Sequence, residues 1–144
     1  MSISPHLVVS DAADAIAFYT AAFEAVETFR MVDPTDGRIG HAELSIGDSV
    51  VMLADEYPDF GAVSPDTLGG SPVILHLSTN SVDGDVDRAA RAGATVLRPP
   101  TDQSYGERSA MLLDPFGHRW TLSQKIEEVD AEEMQKRWNA ETGA

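Results

Sequence analysis

The sequence predicts an α+β fold of two tandem βαβββ modules followed by a C-terminal helix. Three observations carry this. The order strand, helix, strand, hairpin occurs twice, with an offset of about 70 residues. The two helix segments, Asp11 to Glu24 and Asn80 to Gly93, each span 13 steps from start to end. Both modules close on a hairpin marked by turn residues: Gly47-Asp48 in the first, Asp114-Pro115-Phe116-Gly117 in the second.

Taken in order, Ile3 to Val9 reads as a strand, with Leu7 and Val9 on one face and Ser4, His6 and Val8 on the other. Asp11 is a good N-cap, since its carboxylate can accept from the first-turn N–H groups. The helix Ala12 to Phe23 follows, with Ala15, Ile16, Tyr19, Ala22 and Phe23 on one stripe. Val26 to Val32 is a strand and Pro34 to Gly37 a turn. The first hairpin joins His41–Ile46 to Ser49–Leu53 and sets Ile46 opposite Ser49 and Glu43 opposite Met52. Asp55 to Ser71 is a polar loop of the length that serves as a lid or a crossing.

The pattern then restarts. In the strand Pro72 to Thr79, Val73, Leu75 and Leu77 share one face and Ile74, His76 and Ser78 the other. Asn80 or Ser81 caps a helix over Val82 to Ala92, which Gly93 ends. Ala94 to Arg98 is a strand, and Pro99-Pro100 leads to the second hairpin, Arg108–Leu113 with His118–Gln124. A four-residue turn there sets Leu113 opposite His118, Ala110 opposite Thr121 and Arg108 opposite Ser123. Val129 to Ala140 reads as a charged helix whose Met134 and Trp138 should dock on the body or on a second subunit. The expected organisation is one domain over 1–128, with modules at about 3–54 and 72–125, a joining loop 55–71, and a helical tail over 129–144.

The totals bound the function. A chain of 144 residues without cysteine has no disulfide, thiolate metal site or thiol nucleophile. The formal net charge of −14 argues against nucleic acid and anionic membrane surfaces as partners. This acidic protein lacks a leader-like start, so the expected location is cytoplasmic.

The ordered motifs V-x-D-A-A-x-A-I-x-F-Y (Val9 to Tyr19), I-G-D-S (Ile46 to Ser49), L-G-G-S-P (Leu68 to Pro72), A-G-A (Ala92 to Ala94) and D-P-F-G-H-x-W (Asp114 to Trp120) resemble the vicinal oxygen chelate (VOC) superfamily. That superfamily holds glyoxalase I, extradiol dioxygenases, fosfomycin-resistance enzymes and bleomycin-binding proteins. The nearest branch looks like the PhnB-like glyoxalase/bleomycin-resistance proteins. Two departures are Glu24, where such proteins usually have Gly, and His6, where this branch more often has Tyr. The resemblance implies mostly antiparallel sheets curling around a cleft, and commonly a homodimer. It also implies metal ligands on the first and last strand of each module. Those positions fall on Ser4, Met52, Ile74 and Thr121. Such side chains are poor or useless ligands for a hard or borderline divalent ion.

The expected inward polar set is His6, His41, Glu43, His76, Ser78, Arg108, Arg119 and Thr121, with Tyr105 beside Arg108 as a second arm for an anionic ligand group. Each also has a structural reading: Glu43 pairs with Arg108 or a histidine, and Arg108 makes an Arg–Glu bridge. His118 reads as a turn or surface residue, and Phe116 and Trp120 as core. The expectation is metabolite or drug binding without the family metal and with no cofactor, a divalent metal elsewhere being left open. The alternatives are a glyoxalase-like lyase or isomerase in which Glu43 is the base and His41 or His76 the acid, and a structural or regulatory dimer with a vestigial cavity.

Overall fold

The computed structural model describes residues 1–143; Ala144, the end of the expected tail, lies outside them. The first module runs β1 (His6–Val9), α1 (Ala12–Phe23), β2 (Val26–Val32), β3 (Ile39–Ile46) and β4 (Ser49–Asp55). A crossing that carries the one-turn helix α2 (Pro65–Leu68) leads to the second module. That module runs β5 (Ile74–Ser78), α3 (Val82–Ala92), β6 (Thr95–Asp102), β7 (Glu107–Leu113) and β8 (Arg119–Lys125), and α4 (Ala131–Thr142) follows. The strand orders are β1-β4-β3-β2 and β5-β8-β7-β6. In each sheet the first strand runs parallel to the last and the other pairings are antiparallel.

The two module helices form where the sequence places them, whereas α4 runs two residues later than the expected Val129 to Ala140. The Asp11 carboxylate accepts from Asp14 N, as an N-cap should. Helix α1 ends on Glu24 in the left-handed region at φ 57°, where a glycine would carry no Cβ strain. The strands beside proline differ from expectation. Strand β1 begins at His6 rather than Ile3, because Pro5 has no N–H to give; its carbonyl instead accepts from Met52 N. Strand β6 runs through Pro99-Pro100 to Asp102 rather than stopping at Arg98. It lies at the edge of its sheet, where proline costs no ladder bond, and its register slips between Arg98 and Thr101. The long crossing is not structureless: Ser64 caps α2, and the Glu56 carboxylate accepts from Ser64 N and the Thr67 hydroxyl.

Each sheet packs one face on its helix. No strand of one sheet runs alongside a strand of the other, and α1 against α3 makes the main junction. Phe18, Tyr19 and Phe23 of α1 meet Phe116 and Trp120 of the second module in one aromatic cluster. A polar knot lies inside it. Asp114 Oδ2 accepts from Tyr19 Oη at 2.5 Å and from Trp120 Nε1 at 2.9 Å, and Oδ1 accepts from Phe116 N and His118 N. His118 is half-buried and reaches the first module, its Nε2 lying 3.0 Å from Val8 O. A carbonyl only accepts, so Nε2 carries the hydrogen. His118 is therefore a turn residue, as expected, that also struts the two modules rather than facing solvent freely.

The second hairpin departs from the expected register by one residue. Leu113 pairs with Arg119, Met111 with Thr121 and Ser109 with Ser123. Asp114 N donates to His118 O and Gly117 N to Asp114 O, so the loop takes in His118. This is a turn followed by a left-handed Gly117 (φ 88°), which adds one residue to one side. A slip of one residue exchanges the faces. Arg108 therefore turns to the helix side and Ser109 to the open side.

Candidate functional site: the open faces of the two sheets

The face of each sheet turned away from its helix is open, and strand register fixes what stands on it. In the first module one cross-strand row reads His6, Met52, Glu43, Phe29. Val50, Ser45 and Val26 form a second row, and His41 stands opposite Met31. The expected pairing of Glu43 with Met52 holds, and His6, His41 and Glu43 come together as expected. The His6 and His41 rings stack with centroids 5.7 Å apart, and Phe29 lies 5.7 Å from His41. His41 Nε2 is 3.7 Å from Glu43 Oε1, so the partner of Glu43 is a histidine and not Arg108. Burial, and then the neighbouring His41, hold the His6 pKa below the ordinary histidine value.

The open face of the second module carries three full rows. They read Ser78, Ser123, Ser109, Thr101; then His76, Thr121, Met111, Arg98; then Ile74, Arg119, Leu113, Thr95. His76, Ser78, Thr121 and Arg119 thus share this face as expected, but on a different sheet from His6, His41 and Glu43. Arg98 is the residue that sequence reasoning missed. Its Nη2 donates to Ser109 Oγ at 2.7 Å. With the bulge at Gly117 allowed for, alternation from Thr121 leads to Ser123 and Ser109, whereas Arg98 reaches this face through the irregular pairing of β6 with β7, which local spacing does not reveal.

Two expected site residues stand elsewhere. The Arg108 guanidinium is held on the helix side by Asp83 and Asp102, both at 3.0 Å. Tyr105 lies in the β6–β7 turn, in a depression it shares with Val129 and Met134 beside α4. The two therefore do not form one clamp. A hollow of about 720 Å³ opens where β1 and β4 approach β5, lined by Ser4, Val50, Ile74 and His76 among others.

The family's metal positions can be tested on this geometry. His6 stands opposite Met52, and His76 opposite Thr121. The carried-over set Ser4, Met52, Ile74 and Thr121 offers two hydroxyls, a thioether and a hydrocarbon, which do not fit a divalent ion. Among the described residues no three His, Asp or Glu side chains converge to hold a metal.

Comparison with known proteins agrees with the fold. Residues 3–122 match the family described as the Glyoxalase/Bleomycin resistance protein/Dioxygenase superfamily. An uncharacterised protein of Mycobacterium bovis is 47% identical over 137 residues, covering 93% of this chain and 90% of that one. The solved fosfomycin resistance protein FosX of Listeria monocytogenes superposes with TM-score 0.69 at 18% identity, over 92% of this chain and 96% of that one. TioX of Micromonospora sp. ML1 does so with TM-score 0.68 at 23% identity, over 88% and 99%. Among the described residues, no helix is long and apolar enough to cross a membrane.

Proposed function

The chain belongs to the Glyoxalase/Bleomycin resistance protein/Dioxygenase superfamily, and from that premise we propose that it binds a small molecule on the open faces of its sheets, without a metal at the family positions. One observation carries the reading. The open faces leave Val26, Phe29, Met31, Val50 and Ile74 exposed beside a few polar side chains. That mixture of apolar surface and sparse polar groups is the usual lining of a ligand site. The same reading makes the working unit a cytoplasmic homodimer, since a second copy would cover what one chain leaves open.

The test combines metal analysis of purified protein with NMR titration of small apolar ligands. The expected result is metal far below one equivalent, and ligand-induced shifts at Glu43, Met52 and Thr121. A stoichiometric divalent metal that is lost on Glu43→Ala overturns the reading.

The His41–Glu43 contact favours a second reading, a glyoxalase-like lyase or isomerase. Glu43 would take a proton and His41 would give one, and no metal-dependent step is needed. A Glu43→Gln variant that binds the same ligands but loses turnover establishes this reading; equal turnover removes it.

A further inference from the structure

We propose that the open face of the second sheet is an oxyanion subsite that takes the carboxylate of a small, otherwise apolar ligand. The proposal rests on the ligand-binding reading above and names its ligand class. The three full rows of this face contain no Asp or Glu, and the acidic group that follows them, Glu107, stands opposite Lys125, in a chain with 24 acidic and 10 basic residues. They do contain Arg98, Arg119 and His76. Of the eight other basic residues, Arg30, Arg38, Arg88, Arg108, Lys125 and Arg137 each sit against a carboxylate, and among the described residues Arg91 and Lys136 do not. Among the described residues, neither Arg98 nor Arg119 has one within 4.0 Å. The most acidic of backgrounds thus leaves two guanidinium groups uncompensated on one face.

The groups around Arg98 make this a built site rather than stray charge. Arg98 is half-buried, and its one side-chain partner is the neutral hydroxyl of Ser109. Its Nε is buried with no acceptor. Ser123, opposite Ser109 in the same row, is 3% exposed, and its Oγ has no partner either. Buried polar atoms are seldom left this way, and here two occur on β6 and β8, on either side of the Ser109 of β7 that Arg98 reaches. An oxyanion supplies what both lack. A carboxylate matches the guanidinium fork with two oxygens, and the serine hydroxyls turn to donate alongside. Met111, Leu113 and Ile74 in the adjoining rows offer apolar surface to the rest of the ligand.

The test is an NMR titration of the full chain with benzoate and with its neutral near-isostere benzamide. The expected result is a preference for benzoate of roughly tenfold or more, with the largest shifts at the Ser109 and Ser123 amides and Arg98 Nε. Arg98→Gln should erase the preference while benzamide affinity stays within about twofold. Arg98→Lys, which keeps the charge but not the fork, should retain part of it and so separates lost recognition from lost folding. Arg91→Gln, the same charge change on the exposed side of α3, should leave the preference intact. Equal binding of the two probes, or a preference that survives Arg98→Gln, overturns the oxyanion subsite and leaves the binding reading standing. Binding of neither probe overturns both.

Discussion

Asp114 concentrates four hydrogen bonds on one carboxylate that is 3% exposed. The sequence marks it only as a turn former. Its Oδ1 does that local work, whereas its Oδ2 reaches Tyr19, 95 positions away, which no spacing argument can reveal. Asp114→Ala strands the buried Tyr19 hydroxyl and Trp120 N–H and should cost about 3 kcal/mol or more, while Tyr19→Phe should cost about 1–2 kcal/mol. Urea unfolding of the two variants checks the order; a Tyr19→Phe loss equal to that of Asp114→Ala would contradict it. Among the described residues Glu24 is the one non-glycine with positive φ, a departure that was visible in the sequence. Its left-handed strain costs about 1–2 kcal/mol and glycine's extra unfolded freedom offsets part of that, so Glu24→Gly should gain about 0.5–1 kcal/mol in the same assay. His6 gives a pH prediction. Its folded pKa lies below the unfolded value of about 6.5, so the unfolded chain binds more protons between the two. The His6 contribution is then fully present above pH ~6.5 and is lost as pH falls through the folded value. Denaturation between about pH 5 and 7 should show His6→Asn with a shallower acid loss than the native chain.

At the scale of elements, helices were the most legible part. Both long module helices begin and end where caps and periodicity place them, because those signals are local. Strand ends were less legible, since a partner strand decides them, as β6 running through two prolines at a sheet edge shows. The first hairpin was read correctly, because a two-residue turn admits one register. The second was misread by one residue, and that error hid Ser109 and moved Arg108 to the wrong face, while Arg98 was hidden by the irregular pairing of β6 with β7. Gly117 is the hinge of this difference. Its φ of 88° suits glycine, and a Cβ there would lie 2.7 Å from Pro65 Cβ of α2. Gly117→Ala should therefore strain the turn and push α2 off the hairpin at once. We expect a loss of about 2 kcal/mol or more in urea unfolding, with faster proteolysis of the crossing between Glu56 and Ser71. An unchanged midpoint would mean that α2 is not held by this turn.

At the scale of the whole molecule, the doubled module was legible in the sequence, and the way the two halves meet was not. Periodicity names the faces of each sheet but cannot say that α1 and α3 join the modules while both sheets keep one face open. That arrangement is what leaves Val26 62%, Met31 57%, Ile74 49%, Phe29 43% and Val50 41% exposed. Four of the five stand on the edge strands β2 and β5, and a monomer seldom leaves such a set of apolar side chains to water. Trp138 of α4 adds to the problem: at 60% exposed it is not docked on its own chain, although Arg137 holds the helix to Glu127 and Ser104 O. The proposed second copy, related by a two-fold axis, would cover apolar surface of this kind on both chains, because each self-complementary contact counts twice. Sedimentation equilibrium at micromolar concentration should therefore give a single species at twice 15.5 kDa. Met31→Asp places a charge on the apolar edge strand β2 and should return the chain to 15.5 kDa with its far-UV circular dichroism unchanged. A native protein that sediments at 15.5 kDa would leave the open faces to ligand alone and remove the partner from the site.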